Sequence, residues 1–169
     1  INLLVNLFIG LSIGANVLVA QFYGAQRLKD LEETVHTSIL LAGIGGVILI
    51  FVGFFLSDPM LELMGTPDEV LVLATLYMKI YFLGMPATLI YNFGSAILRA
   101  IGDTRRPLYF LLTAGVINVV LNLIFVIQFS MGVAGVALAT TISQCVSAAL
   151  IIQCLARSDA PYRLQKSKL

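Results

Sequence analysis

Long uninterrupted apolar runs, rather than alternation, organise this chain. Five of them can be cut out, at residues 1–22, 37–56, 71–98, 108–129 and 133–155. Each is long enough, at about 1.5 Å of rise per helical residue, to cross about 30 Å of hydrocarbon. A membrane barrel would need short segments of period two. A run such as GGVILIFVGFFL at residues 45–56 does not alternate. The pattern predicts an all-α, polytopic transmembrane helix bundle with five visible spans over residues 1–155, followed by a tail at 156–169. Within the third span Gly84 and Pro86 lie at mid-depth. Proline removes a backbone donor there, so the pair is a candidate kink or hinge.

Composition agrees with this reading and excludes others. Of 169 residues, 59% are hydrophobic and 11% charged, with a mean hydropathy of +0.99. A soluble globule would carry about a quarter charged residues. A net charge of +1 provides no field to hold a phosphate backbone, so no nucleic-acid partner is expected. Cys145 and Cys154 lie inside an apolar run with no metal-ligand spacing and read as small buried thiols. The chain opens on Ile1 inside an apolar stretch, which reads as a piece of a longer polypeptide.

The connections orient the bundle. Arg27 and Lys29 follow the first span; Arg99, Arg105 and Arg106 follow the third; Arg157, Arg163, Lys166 and Lys168 follow the fifth. The opposite side carries Asp58, Glu62, Asp68 and Glu69 and no base. Nine of the ten Lys and Arg residues thus share one face, leaving only Lys79 inside a span. By the positive-inside rule that face, with loops 23–36 and 99–107 and the tail, is cytoplasmic in a plasma-membrane protein. His36, beside Glu32 and Glu33, reads as a solvated interfacial side chain. Asp103 or Thr104 is placed to cap the fourth span, with Pro107 in its first turn.

Polar side chains inside spans are costly and therefore informative. Gly115, Asn118 and Asn122 share one face of the fourth span. Two carboxamides there can coordinate a hard cation through their oxygens, or glue two helices together by hydrogen bonds. Thr140 and Thr141 offer hydroxyls in the outer half of the fifth span, which can equally bond their own backbone. Tyr77 and Lys79 lie in the third span; Lys79 either snorkels to the interface or meets an anionic partner in a cavity. No paired carboxylates, HExxH or Ser/His/Asp set marks an enzyme.

VAQFYGA, LRAIGDTRRPL, NVVLNLIFV and GVAGVALATTIS together resemble the multidrug and toxic compound extrusion (MATE) transporters, over nearly the whole chain. The resemblance implies spans two to six of the amino-terminal lobe of a two-lobe, pseudo-symmetric transporter, with the first helix and the second lobe lying outside the sequence. It further implies a secondary active antiporter that exports drugs or organic cations across the lipid bilayer by alternating access, in exchange for Na⁺ or H⁺ and without a resident cofactor. By motif, the cation and substrate site carries over to Asn118, Asn122, Tyr77 and Thr140, with Ser95 or Asn92 as further candidates. Some relatives have a carboxylate where this chain has Asn122, and an acid on the first helix. An amide cannot carry a proton near neutral pH, so Na⁺ coordination here, or coupling in parts outside this sequence, fits these residues better than H⁺. The alternatives are a lipid-linked oligosaccharide flippase of the same superfamily, which would line its cavity with bases, and a non-transporting membrane assembly subunit.

Overall fold

The computed structural model describes residues 2–158 and 163–165; of the tail, 159–162 and 166–169 lie outside the described residues. Among the described residues the only regular structure is helical. The helices are α1 (Asn2–Gly24), α2 (Leu28–Leu63), α3 (Asp68–Leu83), α4 (Met85–Ala100), α5 (Arg105–Leu123) and α6 (Val133–Arg157). Four elements are long and apolar enough to span a membrane alone, and α3 with α4 forms a fifth, bent span. All of the basic connections fall at one end of the bundle and the acidic connection at the other; these are called the basic and acidic ends below.

Much of what hydropathy assigns to connections is helical. The 36 residues of α2 reach about 54 Å, well beyond the hydrocarbon thickness. The expected connection 23–36 is helix from Leu28 onward. The reason lies in side-chain periodicity: Leu31, Val35, Ile39 and Ala42 continue one buried stripe from the polar segment into the span. At the start of α5, Asp103 supplies the capping contact, with the Arg106 amide donating to its Oδ1 at 3.2 Å. The fourth apolar run, expected to 129, leaves α-geometry after Leu123 and ends in a π-helical turn, Ile124–Gln128.

The span at 71–98 is broken where Gly84 and Pro86 predict a kink, and its two halves are bent by 42°. The Gly84 amide turns back to Tyr81 O at 3.0 Å, so it does not serve the carbonyl of Ile80. In hydrocarbon a free carbonyl costs several kcal/mol (about 2–7). Thr141 of α6 removes that cost by donating its hydroxyl to Ile80 O at 3.0 Å. One of the two hydroxyls singled out in the fifth span therefore caps the break.

The core is built around α4, the most enclosed element, which packs on α1, α2 and α6. Leu89, Phe93, Ile97 and Leu98 are fully buried along it. Asn16 of α1 donates its amide to Ala96 O at 3.1 Å, fixing α1 on α4. In contrast, α5 packs mainly on α6 and presents Leu112, Val116 and Val119 outward. This apolar exterior suits lipid or further protein, and not water. Cys145 is exposed on that exterior and Cys154 half-buried, so the pair is not buried as the sequence implies; an apolar position in a membrane helix faces lipid as readily as it faces core.

Close approach of α2 to the bend depends on Gly46, because a Cβ there would run into the backbone of Pro86. Gly43, one turn away, faces open space. Gly46→Ala is therefore expected to destabilise the bundle by about 1–3 kcal/mol, as overpacking does. Gly43→Ala should leave stability unchanged or slightly raised. Thermal melting of the two purified variants checks this, and equal melting temperatures would contradict the packing at the bend.

Candidate functional site

Asn118 and Asn122 are one helical turn apart on the face of α5 that meets α6. From α6, Thr140 and Ser143 face them, also spaced to share one side of their helix. The Asn122 amide nitrogen donates to Asn118 Oδ1 at 2.7 Å. The Asn118 nitrogen donates in turn to Thr140 Oγ1 at 3.3 Å and to Ser143 Oγ at 3.2 Å. Both hydroxyls then donate to carbonyls of their own helix, Thr140 to Val136 O and Ser143 to Thr140 O.

This chain of bonds has a direction, and the direction fixes the amides. The hydroxyl protons of Thr140 and Ser143 are committed to backbone, so they can only accept from Asn118. Flipping Asn118 would set its carbonyl against two oxygens with no proton to give. Its Nδ2 must face α6 and its Oδ1 must face Asn122. Asn122 then turns its own nitrogen to Asn118, and its Oδ1 is left buried without a hydrogen-bond donor. A buried acceptor in that state costs about 1–3 kcal/mol, and a bound cation is one group that would satisfy it. The π-helical turn begins two residues later, at Ile124, and such turns concentrate at functional positions.

Ser143 is a member of this cluster that sequence reading missed. Its signal was its spacing of three from Thr140, masked by the abundance of small residues in that helix. The structure does not bring Tyr77 or Ser95 into hydrogen-bonding contact with the cluster. Tyr77 lies on α3 toward the acidic end and stacks on Tyr81 at 6.2 Å between ring centroids. Ser95 lies about 8 Å along α4 from its basic end, against about 20 Å along α5 for Asn118. Its Oγ is buried and also lacks a partner, at a different depth in the bundle. Asn92, one turn away on α4, is half-buried.

Lys79 meets an anionic partner. Its ammonium donates to Asp58 Oδ2 at 3.1 Å, tying α3 to the outer part of α2. The pair is partly exposed near the acidic end, which joins both sequence readings: the base snorkels outward and finds a carboxylate there. Among the described residues no cluster of three or more His, Cys, Asp or Glu side chains is placed to hold a metal ion. Any cation taken up by the α5–α6 cluster would be bound by neutral oxygens.

The family model described as MatE matches residues 1–124, nearly three quarters of the chain. The chain belongs to the MatE family. Among its relatives is the probable multidrug resistance protein YoeA of Bacillus subtilis, 30% identical over 98% of this chain and 36% of that protein. Among solved structures, an inward-facing conformation of a multidrug resistance MATE family transporter of the MOP superfamily matches with a TM-score of 0.90 at 26% identity. That match covers 98% of this chain and 38% of the solved one. The outward-facing conformation matches at 0.89 and 27% identity, over 96% of this chain and 36% of the other. This MatE chain thus spans little more than a third of the length of the relatives it matches, as one lobe would. The family is one of transporters, and the helices make the chain a multi-span membrane protein.

The bonding direction in the cluster separates its two amides. Asn118→Ala removes the bridge to α6 and strands the Asn122 nitrogen, so it should destabilise the bundle by about 1–2 kcal/mol. Asn122→Leu loses one bond but also removes an unsatisfied carbonyl, and should melt within a few tenths of a kcal/mol (about 0.5 at most) of the parent. Melting of the two variants in detergent decides this. The reverse order would mean that the amides point the other way.

Proposed function

We propose that this chain is the amino-terminal lobe of a plasma-membrane antiporter that exports drugs or organic cations in exchange for Na⁺ by alternating access. The observation that carries the reading is the buried, donorless Oδ1 of Asn122. It belongs to the side chain that ends the bonded cluster of Asn118, Thr140 and Ser143, on the helix face that the family resemblance marks. Carbonyl and hydroxyl oxygens suit hard cations, and neutral ligands can bind and release Na⁺ without a proton exchange. Tyr77 and Ser95 belong to the proposed site as further candidates at other depths of the same lobe, where they would meet the cargo and not the cation held by the cluster.

Alternating access fits the comparisons in one further respect. The lobe overlays an inward-facing and an outward-facing transporter equally well. This is the behaviour expected of a body that rocks against a second lobe and does not refold itself. The basic end, with seven of the eight described bases, is then the cytoplasmic end. A flippase of the same superfamily would need free bases in its cavity, and the one base inside a span, Lys79, is bonded to Asp58.

The test is Na⁺-driven efflux of a cationic dye from proteoliposomes holding the complete polypeptide. Asn122→Leu should reduce the Na⁺-driven rate at least about tenfold, while the protein inserts and melts like the parent, because one lost ligand oxygen is worth about 1.4 kcal/mol or more. Unchanged Na⁺-driven efflux in that variant would sink the site; efflux driven only by a proton gradient would sink the choice of ion.

A further inference from the structure

His36 is the single histidine of the chain, and its environment is not the solvated one that sequence implies. Its relative exposure is 6%. It lies at the basic end of α2, where the described segment 163–165 packs against the bundle. The buried stripe of α2 explains the difference: His36 follows Val35, one turn beyond Leu31, and faces inward.

Both ring nitrogens are engaged, and their partners fix the protons. Nδ1 lies 2.8 Å from the carbonyl oxygen of Glu32, which can only accept, so Nδ1 carries the hydrogen. Nε2 lies 2.9 Å from the backbone nitrogen of Gln165, which can only donate, so Nε2 presents its lone pair. Only the neutral Nδ1–H tautomer satisfies both contacts. A second proton would place Nε2–H against the Gln165 N–H, turning a hydrogen bond into a donor–donor clash. The remaining ties of the segment do not titrate in the same range. The Leu164 amide donates to Leu155 O at 3.1 Å, and Arg163 Nε donates to Ala156 O at 3.1 Å. Leu164 itself is buried in the core.

The charges around the imidazole are of both signs. On α2, Lys29, Glu32 and Glu33 line the same cavity of about 380 Å³. α4 and α6 end on this side with Arg99 and Arg157, the segment brings Arg163, and α1 carries no charged residue. Histidine is the side chain that ordinarily changes charge between about pH 5 and 8.

We propose that His36 is a pH-operated latch for segment 163–165: the neutral imidazole holds the segment against α2 and α6, and protonation releases it. The latch controls how the chain leaves the last helix, and it stands on contacts separate from the α5–α6 cluster and from the transport reading. The sign follows from the tautomer. The docked state accepts only neutral His36, so docking is complete at high pH and is lost as the basic face is acidified.

The experiment uses the complete polypeptide reconstituted in lipid nanodiscs with histidine ring nitrogens labelled for NMR, the His36 signals being those that His36→Gln removes. The same samples report hydrogen exchange of the Gln165 amide as protection relative to its intrinsic rate at each pH. The neutral ring should be the Nδ1–H tautomer, and Gln165 protection should fall at least about tenfold through the His36 titration. His36→Gln keeps a side-chain acceptor without a titration, so its protection should not follow pH. A neutral ring protonated on Nε2 would overturn the proposal. So would protection that ignores His36 protonation, or the same loss in His36→Gln.

Discussion

Inside hydrocarbon every polar group must find its partner within the protein, and this bundle is arranged around that requirement. Its central bent span breaks the rule locally, because Gly84 and Pro86 interrupt the ladder between α3 and α4. The Thr141 hydroxyl satisfies the Ile80 carbonyl there. Gly46 lets α2 lie directly on Pro86. The bend therefore needs both neighbours, α6 for its hydrogen bonding and α2 for its packing, and it draws the helices into one body around α4.

Against that background the α5–α6 contact has two parts with different work. Asn118 ties the helices together: its nitrogen bridges to Thr140 and Ser143, and its oxygen accepts from Asn122. Asn122 ends the chain of bonds with an oxygen facing no donor. On the proposed function, the two readings of this face, interhelical glue and cation ligand, are divided between two residues one turn apart. A carboxylate at position 122 would turn the same end point into a charge able to carry a proton; an amide keeps it neutral, which is the physical basis for favouring Na⁺.

The legibility of the sequence followed the kind of signal each feature depends on. Apolar runs and the Gly84/Pro86 pair made the helical bundle and its bend readable, because both are local properties of the chain. The same runs could not show that α2 continues to Leu28, since hydropathy averages over the polar residues that flank Leu31 and Val35. His36 was misread for that reason: it belongs to the buried stripe of α2, and its partner Gln165 lies more than a hundred residues away in sequence. The α5–α6 cluster was half legible. Asn118, Asn122 and Thr140 stand out as polar residues in apolar spans, whereas Ser143 hides among small residues and matters only once α5 lies beside it. The depths of Tyr77 and Ser95 relative to the cluster depend on how the helices stagger, which no single-helix pattern encodes.

The central claim is that the unpaired carbonyl of Asn122 is a ligand oxygen for the driving cation. Its most direct test is equilibrium binding of radiolabelled sodium to the complete purified transporter, comparing the parent with Asn122→Leu at equal folded concentration. The account predicts saturable binding that weakens at least about tenfold in the variant, the loss of one good ligand bond. Sodium bound equally well by both proteins would contradict it, and the orphaned carbonyl would then be an uncompensated cost of packing α5 on α6.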